Sequence, residues 1–150
     1  MNVIDSIFGW FKKAVPEPNH KNIHTQIGVH FEEVAEMLLS LSGDDEQTEV
    51  LLHNAYLTTH LLAEHLKSNV GALNLDMSNQ ARVELLDALC DQIVTATGVG
   101  YMLNMKFPAA LEEVNASNYS KFVNGEPIFN ENMKIMKGPN YFKPSLEFRI

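Results

Sequence analysis

From Val83 to Leu103 the chain is apolar almost all round at helical spacing, through Val83, Leu85, Leu86, Ala88, Leu89, Ile93, Val94, Val99, Met102 and Leu103. A helix of that kind belongs in an interior. Yet Glu84, Asp87 and Asp91 lie in the same segment, and at about 100° per residue their spacing gathers them into one stripe. Taking one ionised carboxylate out of water costs an effective several kcal/mol, and three on one stripe also repel each other. Either they hold protons or they hold a cation; the plain alternative is an exposed acidic stripe on an ordinary bundle. Oxygen donors without cysteine or histidine favour a hard ion, Mg²⁺ or Mn²⁺.

A second acidic stripe occurs upstream. In Glu32-Glu33-Val34-Ala35-Glu36 the side chains of Glu33 and Glu36 fall within about 60° of each other on a helix. Charge is unevenly spread: from Asn22 to Met105 there are twelve acidic residues against Lys67 and Arg82, while Lys106 to Ile150 holds six basic and five acidic. An acidic body lacks the basic face that nucleic-acid binding requires.

At 150 residues and 45% hydrophobic composition the sequence reads as one domain over 1–150, with an N-terminal helix and turn over 1–20 and a tail over 121–150. Such a length can bury roughly 70% of its unfolded surface. Cys90 is the only cysteine, so no internal disulfide forms, and its apolar surroundings suit a small core residue in a reducing cytoplasm. The apolar run Ile7 to Phe11 is too short for a membrane span or a signal segment, and its lysines follow it.

The pattern predicts five helices: Val3 to Ala14; Lys21 to about Leu41 after the Pro16-Glu17-Pro18 turn; Glu46 to about Asn69; a fourth capped by Ser78 and running to about Met105; and Phe107 to about Ser117 with Pro108 in its first turn. Gly71 to Asp76 is a link, and Gly98 and Gly100 allow a close helix crossing. After Ser120, Asn124-Gly125-Glu126-Pro127 and Lys137-Gly138-Pro139 are turn chemistry. The expected fold class is all-α.

Glu-Glu-x-x-Glu, a later Glu-x-x-Asp, and then Ser117-Asn118-x-Ser120-Lys121 together resemble the all-α nucleoside triphosphate pyrophosphohydrolases, the MazG-like group related to phosphoribosyl-ATP pyrophosphohydrolases and dimeric dUTPases. The likeness runs from about Ile27 to Pro144, and the tail around Asn124 to Ile128 and Lys134 to Pro139 is similar to phage-type members. The resemblance implies a MazG-like helical bundle whose four-helix core is completed by oligomerisation, as a homodimer or homotetramer, in a bacterial or phage-infected cytoplasm. It further implies Mg²⁺-dependent hydrolysis of a (deoxy)nucleoside triphosphate to the monophosphate and pyrophosphate, a deoxypurine such as dGTP being the candidate substrate. Carried over by motif, Glu33, Glu36, Glu84 and Asp87 are metal ligands, Glu32 and Glu33 act on the water, and Asp91 completes the site or contacts substrate. Asn118 and Lys121 contact phosphate, with Lys137 a further candidate, and Trp10 offers a stacking surface for the base. Glu36 and Glu84 lie 48 residues apart, further than in compact members, so the third helix is lengthened or carries an insertion.

Each assignment has a plainer counterpart in the residues themselves. Glu32 also suits a salt bridge, and Asn118 and Lys121 suit the end of the fifth helix. Lys134 and Lys137 suit solvated tail charges, and Trp10, Phe11, Phe8 and Tyr119 suit packing of the first helix. His20 and His24, four apart, and His53 and His60, seven apart, read as surface or core histidines; a di-iron bundle would need Glu-x-x-His on two helices, and only Glu17-x-x-His20 matches. The competing function is a non-catalytic helical interaction module whose N-terminal amphipathic segment docks a partner or membrane surface.

Overall fold

The computed structural model describes residues 2–69, 71–75, 78–130 and 135–150, which form five helices: α1 (Val3–Ala14), α2 (His20–Leu39), α3 (Glu46–Ser68), α4 (Asn79–Met102) and α5 (Phe107–Tyr119). The fold is all-α as the periodicity predicts, each helix boundary falling within a few residues of its expected place. Among the described residues none of these helices is long and apolar enough to cross a membrane. The chain divides into two compact units, Glu17–Leu75 and the combination of Met1–Pro16 with Asp76–Ile150.

Local chemistry sets the helix starts. Asn2 accepts from the Asp5 amide at 2.9 Å, and Asp45 accepts from the Thr48 amide and hydroxyl at 2.8 and 2.6 Å. Asn19 and Asn22 cap α2 reciprocally, each side chain accepting from the other's backbone N–H. Ser78 caps α4 as expected, taking the Ala81 amide at 3.3 Å.

In the 17–75 unit α2 packs along α3 through a seam of small residues. Gly28, Ala35 and Ala63 are buried there beside Leu66 and His24. A Cβ added at Gly28 would stand 2.9 Å from the Ala63 carbonyl oxygen and 2.8 Å from Lys67 Cγ, so the helices meet closer than any larger residue allows. His20 is exposed and His24 fully buried, as a surface and a core histidine.

In the other unit α1 lies against α5. Asn115 donates to the Ser6 hydroxyl, the Tyr119 hydroxyl donates to the Ser6 carbonyl, and the Trp10 indole N–H donates to the Asn118 carbonyl. Gly100 admits the Phe107 ring, whose Cδ2 would be 2.7 Å from an added Cβ, whereas Gly98 faces open space. The close crossing expected of both glycines therefore belongs to Gly100 alone.

Beyond α5 the chain turns sharply at Asn124 and Gly125, both at positive φ, between Val123 and Glu126, which exchange backbone hydrogen bonds. It then returns along α5: the Ser117 hydroxyl donates to the Phe142 carbonyl, Ser120 Oγ accepts from the Phe142 amide, and Glu113 takes the Ser145 amide and the Arg149 guanidinium.

The expectation that α4 is interior is corrected within one chain. Val83, Leu86 and Val94 are 61%, 62% and 67% exposed, and Leu85, Leu89, Ile93 and Val99 are exposed as well. Cys90, expected in a core, is exposed on the same helix. The physical reason is topological, since only the end of α4, at Gly100 and Phe107, is seated on α5.

Candidate functional site

The acidic residues of α2 sit on its second half, where the apolar spacing continues past Phe31 through Val34 and Ala35. Glu32 is half-buried and pairs with Lys67 at 2.9 Å; Lys67 also pairs with Glu64 at 2.5 Å, one turn earlier on α3. The salt-bridged reading of Glu32 thus has a named partner. Burial pushes the Glu33 carboxyl above the ordinary glutamate range, Glu36 and then Glu32 push it the same way, and His30 opposes them. Two neighbouring carboxylates thus act on Glu33, and the spacing anticipates the Glu36 part of that effect.

On α4, Glu84 accepts from the Gln80 amide at 2.8 Å, and Asp87 and Asp91 are exposed on the same helix. These carboxylates are in water, so the desolvation argument made from the apolar pattern does not apply to them in a single chain. Among the described residues no three acidic, histidine or cysteine side chains converge as a ligand set for a metal ion. The donor chemistry of each helix taken by itself, carboxylate oxygen, is that of a hard divalent cation's ligands.

Three of the substrate-side candidates, Trp10, Asn118 and Lys121, gather around the α1–α5 contact. Lys121 donates to Asn118 Oδ1 at 2.8 Å and lies 6.0 Å over the Trp10 ring, so two residues of one motif and the distant Trp10 meet in one place. Trp10 stacks on Phe122 at 5.6 Å with the ring planes 9° apart, and Phe11 meets it edge-on. The indole is used for packing. Lys137 rests 4.5 Å above the Tyr141 ring, and Lys134 lies outside the described residues. A cavity of about 260 Å³ in this unit is lined by Met105, Phe107, Leu111, Val114, Leu146 and Ile150, and none of the candidate residues reaches it.

Sequence reasoning missed Lys67 and His30 as neighbours of the acidic stripe. Lys67 was findable: it is the one basic residue between Asn22 and Ala81, and it lies three residues after Glu64. No family model, curated protein or solved structure matches this chain.

Proposed function

We infer that the chain is a Mg²⁺-dependent nucleoside triphosphate pyrophosphohydrolase of the MazG-like type, cleaving the α–β phosphoanhydride with water to give a monophosphate and pyrophosphate. The observation that carries this reading is the order of the motifs on the folded chain: Glu33 with Glu36 acting on it on α2, Glu84 and Asp87 one turn apart on α4, then Asn118 and Lys121 in contact at the end of α5. Glu33, Glu36, Glu84 and Asp87 would hold the ion, with Mn²⁺ a substitute. When bound, it supplies charge neutralisation for the triphosphate and a water of lowered pKa. Glu33, already biased towards holding a proton, suits taking one from that water, and Glu32 stays oriented by Lys67. Lys121 exchanges its Asn118 oxygen for a phosphate oxygen and offsets charge on the departing pyrophosphate.

The exposed apolar length of α4 supports a second copy as partner. Burying one Leu or Ile fully contributes about 1.5–3 kcal/mol, and Leu85, Leu86, Leu89 and Ile93 are all left in water. A homodimer or homotetramer covers them and supplies the walls that half a bundle lacks.

The test is pyrophosphate release from a panel of ribo- and deoxynucleoside triphosphates, dGTP included, with Mg²⁺ and with chelator. Turnover in Mg²⁺ that Glu36→Gln and Asp87→Asn abolish, with circular dichroism unchanged, is expected. Near-normal turnover by either variant, or release from no nucleotide, refutes the proposal. The exposed α4 surface also favours the non-catalytic interaction module, which releases no pyrophosphate and so separates cleanly in this assay.

A further inference from the structure

Lys121 stands just past the end of α5, and each polar group it carries has a fixed neighbour. Its amide donates to the Asn118 carbonyl at 3.2 Å, and its carbonyl accepts from the Gly138 amide at 3.1 Å. The ammonium donates to Asn118 Oδ1 and lies over the face of Trp10. The residue is half-buried, and among the described residues no carboxylate stands within ion-pair distance of it, in a chain of net charge −8. A cation held only by an amide oxygen and a ring face keeps its capacity for a charged acceptor, which binds it more strongly than either.

Gly138 closes on this residue as no larger one could. A Cβ added there would stand 3.0 Å from the Lys121 carbonyl oxygen, 2.8 Å from Val123 Cγ2 and 3.5 Å from the Phe122 carbonyl oxygen. Two of these neighbours are backbone, and the side chain between them, Phe122, is buried and stacked on Trp10, so the segment has little room to retreat. The glycine is itself pinned. Its carbonyl accepts from the Tyr141 amide at 3.1 Å, and the next residue along, Phe142, has both backbone groups held on α5 by the hydroxyls of Ser117 and Ser120.

We propose that Gly138 is a positioning residue for phosphate recognition, its amide and its missing side chain fixing the Lys121 backbone so that the ammonium meets a diphosphate group at one place beside Trp10. This rests on Lys121 being the phosphate contact of the pyrophosphohydrolase, and Gly138 itself touches no phosphate. Alanine at 138 pushes the Lys121 carbonyl aside, and the four-carbon stem carries that shift out to Nζ. Misplacing a binding group by about 1 Å costs on the order of 10²-fold, so a displacement of a few tenths of an ångström is expected to cost about tenfold.

The probe is inorganic pyrophosphate in Mg²⁺, titrated into the full chain while the ¹H–¹⁵N resonance of the Trp10 indole, the only one of its kind, is followed. The parent is expected to respond saturably, with Gly138→Ala and Lys121→Met each binding about tenfold more weakly and the combined variant no more weakly than Lys121→Met alone. Ser117→Ala, which loosens the tail without touching Lys121, is expected to bind within about twofold of the parent. That pattern upholds the proposal even if no nucleotide is cleaved, an outcome that would sink the enzyme reading alone. Equal affinity of Gly138→Ala and parent, losses that add in the combined variant, or a Ser117→Ala protein as weak as Gly138→Ala overturn the proposal and leave nucleotide cleavage to stand on its own assay. An indole resonance that pyrophosphate does not move in the parent overturns it as well.

Discussion

Two glycine-to-alanine changes in helices should move stability in opposite directions. At Gly28 the new methyl carbon would sit 2.9 Å from the Ala63 carbonyl oxygen, 3.1 Å from the Lys67 amide nitrogen and 2.8 Å from Lys67 Cγ. Two of these neighbours are backbone, so α3 must shift by several tenths of an ångström along a seam that also holds Ala35 and Leu66. Overpacking of this kind costs about 1–3 kcal/mol, and the helix propensity of alanine returns at most about 1 kcal/mol. With the full return the net loss for Gly28→Ala centres on about 1 kcal/mol and reaches about 2 kcal/mol, a central fall of roughly 2–4 °C in Tm for a chain of this size. At Gly98 nothing lies within 4 Å, so Gly98→Ala keeps the propensity gain and raises stability by up to about 1 kcal/mol. Urea unfolding followed by circular dichroism at 222 nm decides it. A Gly28→Ala protein as stable as the parent would show that the α2–α3 seam is looser than described, and the close-approach argument would fail.

Lys67→Met removes the cation shared by Glu32 and Glu64 while keeping the stem that packs over Gly28, and should cost about 1 kcal/mol in urea unfolding. Glu64 first, and Glu32 with it, raise the Lys67 ammonium above its ordinary 10.5, so this contribution is whole below that value and fades as pH rises through the folded one; parent and variant should converge in strong alkali. Glu33 runs the other way. Its raised carboxyl makes the folded state lose stability as pH climbs above the ordinary 4.5, so Glu33→Gln should be the more stable protein at pH 7 and lose that advantage at pH 4, as thermal melts at both values will register. Ser117→Ala deletes the buried hydroxyl that donates to the Phe142 carbonyl at 2.7 Å, and should cost about 1 kcal/mol with faster exchange of the Phe142 amide.

The helices were legible because their signals are local. Asn2, Asn19, Asp45 and Ser78 each cap the helix that follows, Pro16 and Pro18 separate α1 from α2, and the period of apolar residues supplies the rest. The coupling of Glu33 with Glu36 was legible for the same reason, being a matter of helical angle. Long-range partners were not. Nothing in the spacing pairs His24 with Leu73, 49 residues away, or ties Trp10 to Asn118 and Phe122. The exposure of α4 ran against its composition because hydrophobicity states that a helix seeks cover without stating which surface provides it. Lys67 meets Glu32 across two helices and so follows from the folded backbone, whereas Gln80, one turn before Glu84, is as local as the caps.

Trp10 is the only tryptophan, and its indole is stacked on Phe122 in the seam between α1 and α5. Its emission is consequently a private signal of one unit: it registers melting of that seam and stays silent while the α2–α3 hairpin comes apart. Fluorescence and ellipticity curves recorded on the same sample therefore amount to two separate thermometers, and any gap between their midpoints measures how independently the two halves of the chain unfold.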